Sequence, residues 1–363
     1  MSDLPSIAIV SAPTDPSLEQ LAEYLSDQSS RWSSVSDWPL DALQACAAAG
    51  VYRWFIEPHQ GGVGWNTADQ TRGYLRLAQA DLTTTFVITQ YMGAIRRIAG
   101  SGNQPLINRW LPSLLSGESF GTVGISHLTT SRQHLRKPVM SARQNDHGFI
   151  LNGMAPWVTG VAHADVYVVG AAMDDGRELL AAVPRDSQGV QPGPGISLVA
   201  LSASVTDRLE FDHVQIDESM LIAGPVQNVM QSGVGGRTGG LQTSTLAIGL
   251  ARAAITFLSE ETTRREELTA ATRELTSEVD ALESLLLLAV SGAADCDTAD
   301  IRGKANRLVL RSTQAALTAA KGAGYVNGHP VGRWCQQALF FLVWSCPQAV
   351  STAHLCELAG IES

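Results

Sequence analysis

The sequence predicts a mostly helical α+β protein in which a small β-domain separates two helical domains. Apolar residues keep helical spacing over residues 1–120 and again over 225–363. Between them, residues 121–224 contain short apolar runs separated by Gly, Pro, Asn and Asp roughly every ten residues, as in an antiparallel barrel or sandwich. A chain of 363 residues is also too long for one ordinary core. We therefore expect three domains with these boundaries.

The composition narrows the classes of function. A formal charge of −10, from 25 basic and 35 acidic residues, argues against a nucleic-acid partner, because phosphate binding needs a basic face. The longest apolar runs, Leu285–Val290 and Ala338–Trp344, are too short to span a bilayer, and the first residues lack the basic region of a signal peptide. Five widely spaced cysteines, an odd number, are typical of reduced thiols. We expect a cytoplasmic protein without a metal site or a membrane partner.

The first domain is predicted to be all helical. Its periodic stretches lie at 18–28, 42–49, 70–82 and 83–100, and a last helix closes the domain before residue 120. Asn103 or Ser101 can cap that last helix, and Gly117 can end it, because glycine readily adopts the left-handed conformation of a helix C-terminus.

In the second domain the Asn152-Gly153 pair predicts a tight hairpin turn, because a type I′ turn needs positive φ at both central residues. Trp157 and Thr159 would then lie close to this turn on an antiparallel sheet. The later run DRLEFDHVQI, 207–216, predicts a half-buried strand with an irregularity near His213.

The third domain opens with GVGGRTGG at 233–240. This is a weak dinucleotide motif, and it favours a connector because no strand of a βαβ unit precedes it. Four helical stretches follow, three of them long, and the fourth runs continuously over 331–358. Helices of this length pack as an antiparallel four-helix bundle.

Five short motifs occur in series along nearly the whole chain. They are ALQACAAAGVYRWFIEPHQGGVGW at 42–65, GNQPLINRWLPSLLSGE at 102–118, the stretch with Trp157 and Thr159, SVTDRLEFDHVQI at 204–216, and GAGYVNGHPVGR at 322–333. They resemble, in the same order, motifs of the acyl-CoA dehydrogenase family, which also places a β-domain between two helical domains. One spacing departs from the family, since Pro58 stands three residues before Gly61, one fewer than usual.

The resemblance implies FAD, bound against the β-domain where the subunits of a homodimer or homotetramer meet. It implies a carboxylate base that removes the α-proton of an acyl-CoA while the β-hydride passes to flavin N5. An electron-transfer flavoprotein would then accept the electrons.

The resemblance also assigns cofactor-binding residues. Trp157 would pack at the flavin ring, the Thr159 hydroxyl would bond near N5, and Ser126 keeps the hydroxyl of the family's first flavin loop. From the residues alone, the alternative is a Trp157 packed on the sheet and a Thr159 that serves the turn, because aromatic side chains are usually core.

A second group of positions in the family reaches the FAD of a neighbouring subunit. Arg264, or alternatively Arg265, stands at its arginine, and Gly322 and Gly324 stand at its glycines. The phenylalanine and glycine that follow the arginine are replaced by Glu267-Leu268, which would repel a pyrophosphate.

The first flavin loop also departs from the family. Ser126 is followed by a stretch that lacks the family's acidic residue and glycine. The basic run at 132–137 is either a solvated loop or a contact for a phosphate.

The largest departure concerns the catalytic base. Twelve residues after Arg333, where most of the family has glutamate, this chain has Ser345. No Asp or Glu occurs between Lys304 and His354, and the alternative base position falls on Gly239 or Gly240. A serine without a neighbouring base cannot take an α-proton near pH 7.

Three hypotheses follow for the function. The first is an acyl-CoA dehydrogenase-like flavin-dependent oxidoreductase with FAD, or FMN as the alternative, whose dehydrogenation is lost or altered by Ser345. The second is a flavin-dependent monooxygenase of the same fold, served by a flavin reductase, because oxygen chemistry needs no α-proton abstraction. The third is an inactive homologue kept as a binding or scaffold subunit. The substrate is expected to be a small molecule, with an acyl-CoA as the family's example.

Overall fold

The computed structural model describes residues 5–129, 138–234, 241–292 and 296–361. Helices make up the first region, and most of their ends carry identifiable caps. The Asn103 side chain accepts a hydrogen bond from the Leu106 amide, and Gly117 ends that helix in a left-handed conformation, as predicted. The helices are α1 Pro16–Gln28, α2 Leu40–Ala48, α3 Thr67–Ala80, α4 Leu82–Ala99 and α5 Gln104–Ser116.

The central region is a sheet with one short helix, α6 Ser126–Thr129. The described strands form one sheet with the order β6-β7-β3-β2-β4-β5-β8, and β1 pairs with β4. The pairing is mostly antiparallel, but β4 is parallel to both β1 and β2. The strands are β1 Gly121–Gly124, β2 Met140–Asn145, β3 Gly148–Val158, β4 Val166–Ala172, β5 Glu178–Pro184, β6 Val190–Pro192, β7 Asp207–Ile216 and β8 Leu221–Val226.

Helices return in the last region. They are α7 Leu241–Thr262, α8 Thr269–Val290, α9 Thr298–Ala320, α10 Pro330–Leu339 and α11 Gln348–Ala359. The first four pack on one another, and α11 packs on α9. Helix α7 is long and apolar enough to cross a membrane by those two criteria, but 72% of its most apolar window is buried inside the protein. The predicted fold class is therefore confirmed: helical, then sheet, then helical.

The two sides of the sheet serve two cores. Val166 and Val168 of β4 join the core formed by the helices, while Tyr167 and Val169 join a second core on the other face. This alternation follows from the two-residue period of a strand. The face of the sheet that joins the helical core packs on α4, which contacts β1.

The prediction of a hairpin turn at Asn152-Gly153 is wrong. Both residues lie inside β3, and the hairpin turns at residues 146–147 instead. Gly153 has φ +121° at an irregularity in the pairing with β7, and the Asn152 side chain accepts a hydrogen bond from the His213 amide, where φ is +51°. The backbone needs positive φ here, but for a bulge rather than a turn. The irregularity expected near His213 is present.

The predicted fourth C-terminal helix is not continuous. Helix α10 ends at Leu339 and α11 begins at Gln348. Pro347 disfavours helical geometry in the residue before it, and Ser345 has φ +44°. The buried Arg302 of α9 stabilises the break by donating hydrogen bonds to the Phe341 and Trp344 carbonyls at 3.0 and 2.8 Å.

Candidate functional site

A cavity of about 570 Å³ lies where all three regions meet. Helix α4 supplies one wall, since Phe86, Thr89, Gly93 and Arg97 recur at three- and four-residue intervals on one face. The end of β3 supplies a second wall, and the break between α10 and α11 a third. This volume is in the range of pockets that hold small molecules or cofactor rings.

Trp157 lies on the cavity wall near the end of β3. The pairing of β3 with β7 shifts between Ala155 and Val158, and Trp157 bulges out there with φ +58°. Its side chain is 57% exposed, while both neighbours in the chain are buried. An aromatic residue in a left-handed conformation that faces open space is not packed as core, and strain of this kind collects at functional sites.

Thr159 is 2% exposed and also lines the cavity. Its hydroxyl oxygen accepts a hydrogen bond from the Thr206 hydroxyl at 3.2 Å, and Thr206 is in turn bonded to Ser204 at 2.8 Å. Its carbonyl accepts one from the Thr122 hydroxyl at 2.7 Å. Because the hydroxyl of Thr159 is the acceptor in this network, its own proton remains available for a further hydrogen bond.

Ser126 lies on the same wall, at the start of α6. Its hydroxyl donates a hydrogen bond to the carbonyl of Pro156, the residue before Trp157, at 3.1 Å. The next residue, His127, points into the protein, where its Nε2 bonds the Gly170 carbonyl at 2.9 Å and burial lowers its pKa. The predicted phosphate contact at 132–137 lies outside the described residues, as does most of the 233–240 connector.

Ser345 lines the cavity in the break after α10. It lies beside an aromatic cluster in which Trp344 stacks on Phe340 at 5.1 Å and meets Phe86 edge-on at 4.9 Å between ring centroids. Among the residues that the structure describes, the cavity lining contains neither Asp nor Glu. The position predicted for the base is thus on the cavity, but no carboxylate accompanies it there.

Arg264, Gly322 and Gly324 do not line this cavity. Arg264 is exposed in the turn after α7, and Gly322 faces open space. Gly324 is buried, and a Cβ on it would lie 2.7 Å from the Ala320 Cβ, so its lack of a side chain serves packing. The neighbouring Arg265 is held by the Ala319 carbonyl and by Glu261. Within one chain, the structure separates this group from Trp157 and Thr159.

Two arginines on the cavity were not anticipated from the sequence. Arg96 and Arg97 follow an apolar stretch of α4, and Arg97 is only 3% exposed. Its Nη1 donates a hydrogen bond to the Gly93 carbonyl at 2.9 Å, and burial lowers its pKa to about 10. The signal available in the sequence was this arginine pair inside an otherwise uncharged 18-residue helix.

The β-domain side of the cavity fits the ring end of a flavin. Trp157 offers an aromatic face. Thr159 offers a hydroxyl group that can donate a hydrogen bond to a flavin ring nitrogen. In the part of the chain that the structure describes, no group of His, Cys, Asp and Glu could hold a metal ion.

The chain resembles proteins of one family in both sequence and fold. Residues 18–118 match the description "Acyl-CoA dehydrogenase, N-terminal domain". An isovaleryl-CoA dehydrogenase from Oryza sativa is 27% identical over 266 residues, which are 67% of this chain and 63% of that protein. The chain spans 57% of the length of a bovine isobutyryl-CoA dehydrogenase, with 21% identity.

Solved structures extend the likeness to almost the whole fold. A glutaryl-CoA dehydrogenase from Mycobacterium smegmatis in complex with FADH2 superposes with a TM-score of 0.78 and 19% identity, covering 97% of this chain and 96% of that one. A dibenzothiophene monooxygenase from Paenibacillus superposes with a TM-score of 0.75 and 18% identity, covering 95% and 97%. These structures show that the fold is shared, and the match of residues 18–118 together with the sequence relatives supports membership of the acyl-CoA dehydrogenase family.

Proposed function

We propose that the protein binds a flavin against Trp157 and Thr159 and is a flavin-dependent oxidoreductase that does not dehydrogenate acyl-CoA by the family's carboxylate route. The observation that carries the proposal is a cavity with an aromatic face and a hydroxyl donor but, among its described lining residues, no Asp or Glu. When bound, the flavin (FAD, with FMN as the alternative) would supply two-electron redox chemistry.

Each residue on the cavity wall has a distinct role in this proposal. Trp157 would cover one side of the ring and keep water away, while the Thr159 hydroxyl would donate a hydrogen bond to a ring nitrogen. Phe86, Phe340 and Trp344 make another wall of the cavity apolar. Ser345 has no base beside it, and the loss of a general base typically costs at least a factor of about 100 in rate.

The lack of a carboxylate favours a second candidate, a flavin-dependent monooxygenase. Such a reaction would use O2 and two electrons from a reduced flavin, place one oxygen atom on the substrate and release the other as water, and it requires no abstraction of an α-proton. A flavin reductase would then be the partner, in place of the electron-transfer flavoprotein that a dehydrogenase uses.

The proposal includes an assembly of two or four chains in the cytoplasm. Arg264, Gly322 and Gly324 do not line the cavity of their own chain. Arg264 and Gly322 are exposed and could reach a cofactor that a neighbouring chain holds, whereas Gly324 is buried and serves packing.

The test is the absorbance spectrum of the purified protein, followed by titration with FAD and with FMN. We expect flavin bands or saturable uptake. We expect no bleaching when isobutyryl-CoA, isovaleryl-CoA or glutaryl-CoA is added without oxygen, because no described carboxylate lines the cavity.

Each alternative outcome has one meaning. If the protein shows no flavin bands and takes up no added flavin, only the binding or scaffold role remains. Bleaching by any of the three thioesters would show that the chain dehydrogenates acyl-CoA through a base other than the family's glutamate.

A further inference from the structure

The cavity wall formed by α4 changes character along its length. Phe86 at one end belongs to the aromatic cluster beside Ser345, and Arg97 lies eleven residues further along the helix. At 1.5 Å per residue these ends are about 16 Å apart. Tyr74 of α3 and Gln242 of α7 also line the cavity, and the interaction of Arg96 with Tyr74 places them towards the basic end.

Arg97 is a buried charge without a counter-ion among the described residues. Its Nη1 is used by the Gly93 carbonyl, but its Nε has no hydrogen-bond partner among the residues described. The charged group that acts on it most strongly is Arg96, which is also positive and lowers its pKa further. The stretches 130–137 and 235–240, which the structure does not describe, contain neither Asp nor Glu.

Tyr74 adds a second unsatisfied donor to the same end. Its hydroxyl is buried, with the residue 3% exposed, and Gln242 is its polar neighbour without forming a hydrogen bond of normal geometry. Burial raises the pKa of Tyr74, so the hydroxyl keeps its proton at neutral pH. Two buried donors that lack acceptors are costly unless a ligand supplies the acceptor.

We propose that this end of the cavity binds a carboxylate on the ligand, at the end remote from the aromatic cluster. The free Nε edge of a guanidinium matches the two oxygens of a carboxylate, and the Tyr74 hydroxyl can donate a further hydrogen bond. The substrate class is then an organic acid, or an acyl group that ends in a carboxylate. This inference deepens the proposed function by naming the substrate of the same cavity, but its test needs no flavin.

The test compares octanoate with octanamide, two probes of the same shape that differ in charge. Calorimetric titration of the purified protein should show octanoate binding about 10- to 100-fold more tightly, as expected for hydrogen bonds to a charged group. Arg97→Met should remove that preference, while Arg109→Met, on the exposed face of α5, should preserve it.

A measurement of thermal stability separates a binding role from a structural one. Without ligand, Arg97→Met should melt at the wild-type temperature or above, because the substitution removes an unpaired buried charge. If Arg97→Met does not fold, Tyr74→Phe replaces it as the test, and it should reduce the preference for octanoate over octanamide by about fivefold.

Octanoate that binds no better than octanamide would overturn the proposal, as would an unchanged preference in Arg97→Met or, where that variant is unfolded, in Tyr74→Phe. A protein that takes up no flavin but still prefers octanoate would refute the proposed function and support the carboxylate site.

Discussion

Trp157 combines two features that a core residue would not need. It holds φ at +58°, and more than half of its side chain is exposed on the cavity. A left-handed conformation costs an aromatic residue about 1–3 kcal/mol, which the surrounding structure must supply. The Ser126 hydroxyl, bonded to the preceding carbonyl, contributes to that support. Both features are explained if the indole is held open for a flat ligand.

We predict that Trp157→Ala raises the dissociation constant for flavin about tenfold, since aromatic stacking is worth about 1.5 kcal/mol beyond the area it buries. Thermal stability should stay within a degree or two of wild type, because the exposed ring makes few core contacts. Fluorescence titration with FAD measures the constant. Trp110→Ala, a tryptophan of α5 outside the cavity lining, is the control and should leave it unchanged. Equal constants in all three proteins would show that Trp157 does not touch the flavin.

Strand β3 depends on a glycine in the middle of its length. Gly153 has φ +121°, and a Cβ there would lie 2.1 Å from the Val139 carbonyl oxygen. Gly176, in the turn after β4, also has positive φ, +84°, but a Cβ there would meet nothing within 4 Å. These two glycines separate the cost of the backbone conformation from the cost of the clash.

We predict that Gly153→Ala lowers the free energy of unfolding by about 3 kcal/mol or more, and Gly176→Ala by only about 1 kcal/mol. Urea unfolding followed by circular dichroism measures both. Because β3 carries Trp157, Gly153→Ala should also weaken flavin uptake. Equal losses in the two variants would mean that the sheet moves aside at Gly153 and that the close approach to Val139 carries no cost.

For individual elements, the sequence predicts whether a stretch is a helix or a strand better than it predicts where that element bulges or ends. The spacing of apolar residues was enough to identify the helices and strands, because each type of element buries one face and so repeats its apolar residues with its own period. It could not locate the bulge, since Asn152-Gly153 offers positive φ equally to a turn and to a bulge. Pro347 was a local signal for a break in the last helix, but the sequence could not show that α10 already ends at Leu339, where Arg302 of the distant α9 holds the carbonyls of Phe341 and Trp344. Arg97 was missed for a similar reason: an arginine on a helix is usually solvated, and only the packing of α4 buries it.

The cavity is a property of the whole molecule, because each of the three regions contributes a wall. Helix α4 comes from the first, Trp157 and Thr159 from the second, and Phe340 and Trp344 from the third. The resemblance to the family could assign Trp157 and Thr159 to the site because their motif is continuous in sequence. It could not predict that Arg97 of α4 lines the same cavity, because that depends on how the regions pack.

The outer surface carries exposed apolar side chains at the C-terminal end of the last helix. Leu355 and Leu358 of α11 and Ile361 beyond it recur every three residues, and each is more than 60% exposed. Three large apolar side chains exposed close together at the end of the chain favour association with another protein surface. The proposed assembly of two or four chains would cover them.

We predict that the wild-type protein is a dimer or tetramer by light scattering coupled to size-exclusion chromatography, and that Leu358→Glu shifts it to a smaller species. A buried, unpaired glutamate at a contact between chains costs far more than the same residue in water. Leu40→Glu, at the exposed start of α2, makes the same chemical change on another surface and should leave the assembly intact. A monomeric wild type would contradict the assembly itself. An intact oligomer in Leu358→Glu would instead move the contact away from α11, and the same separation of masses would show which is the case.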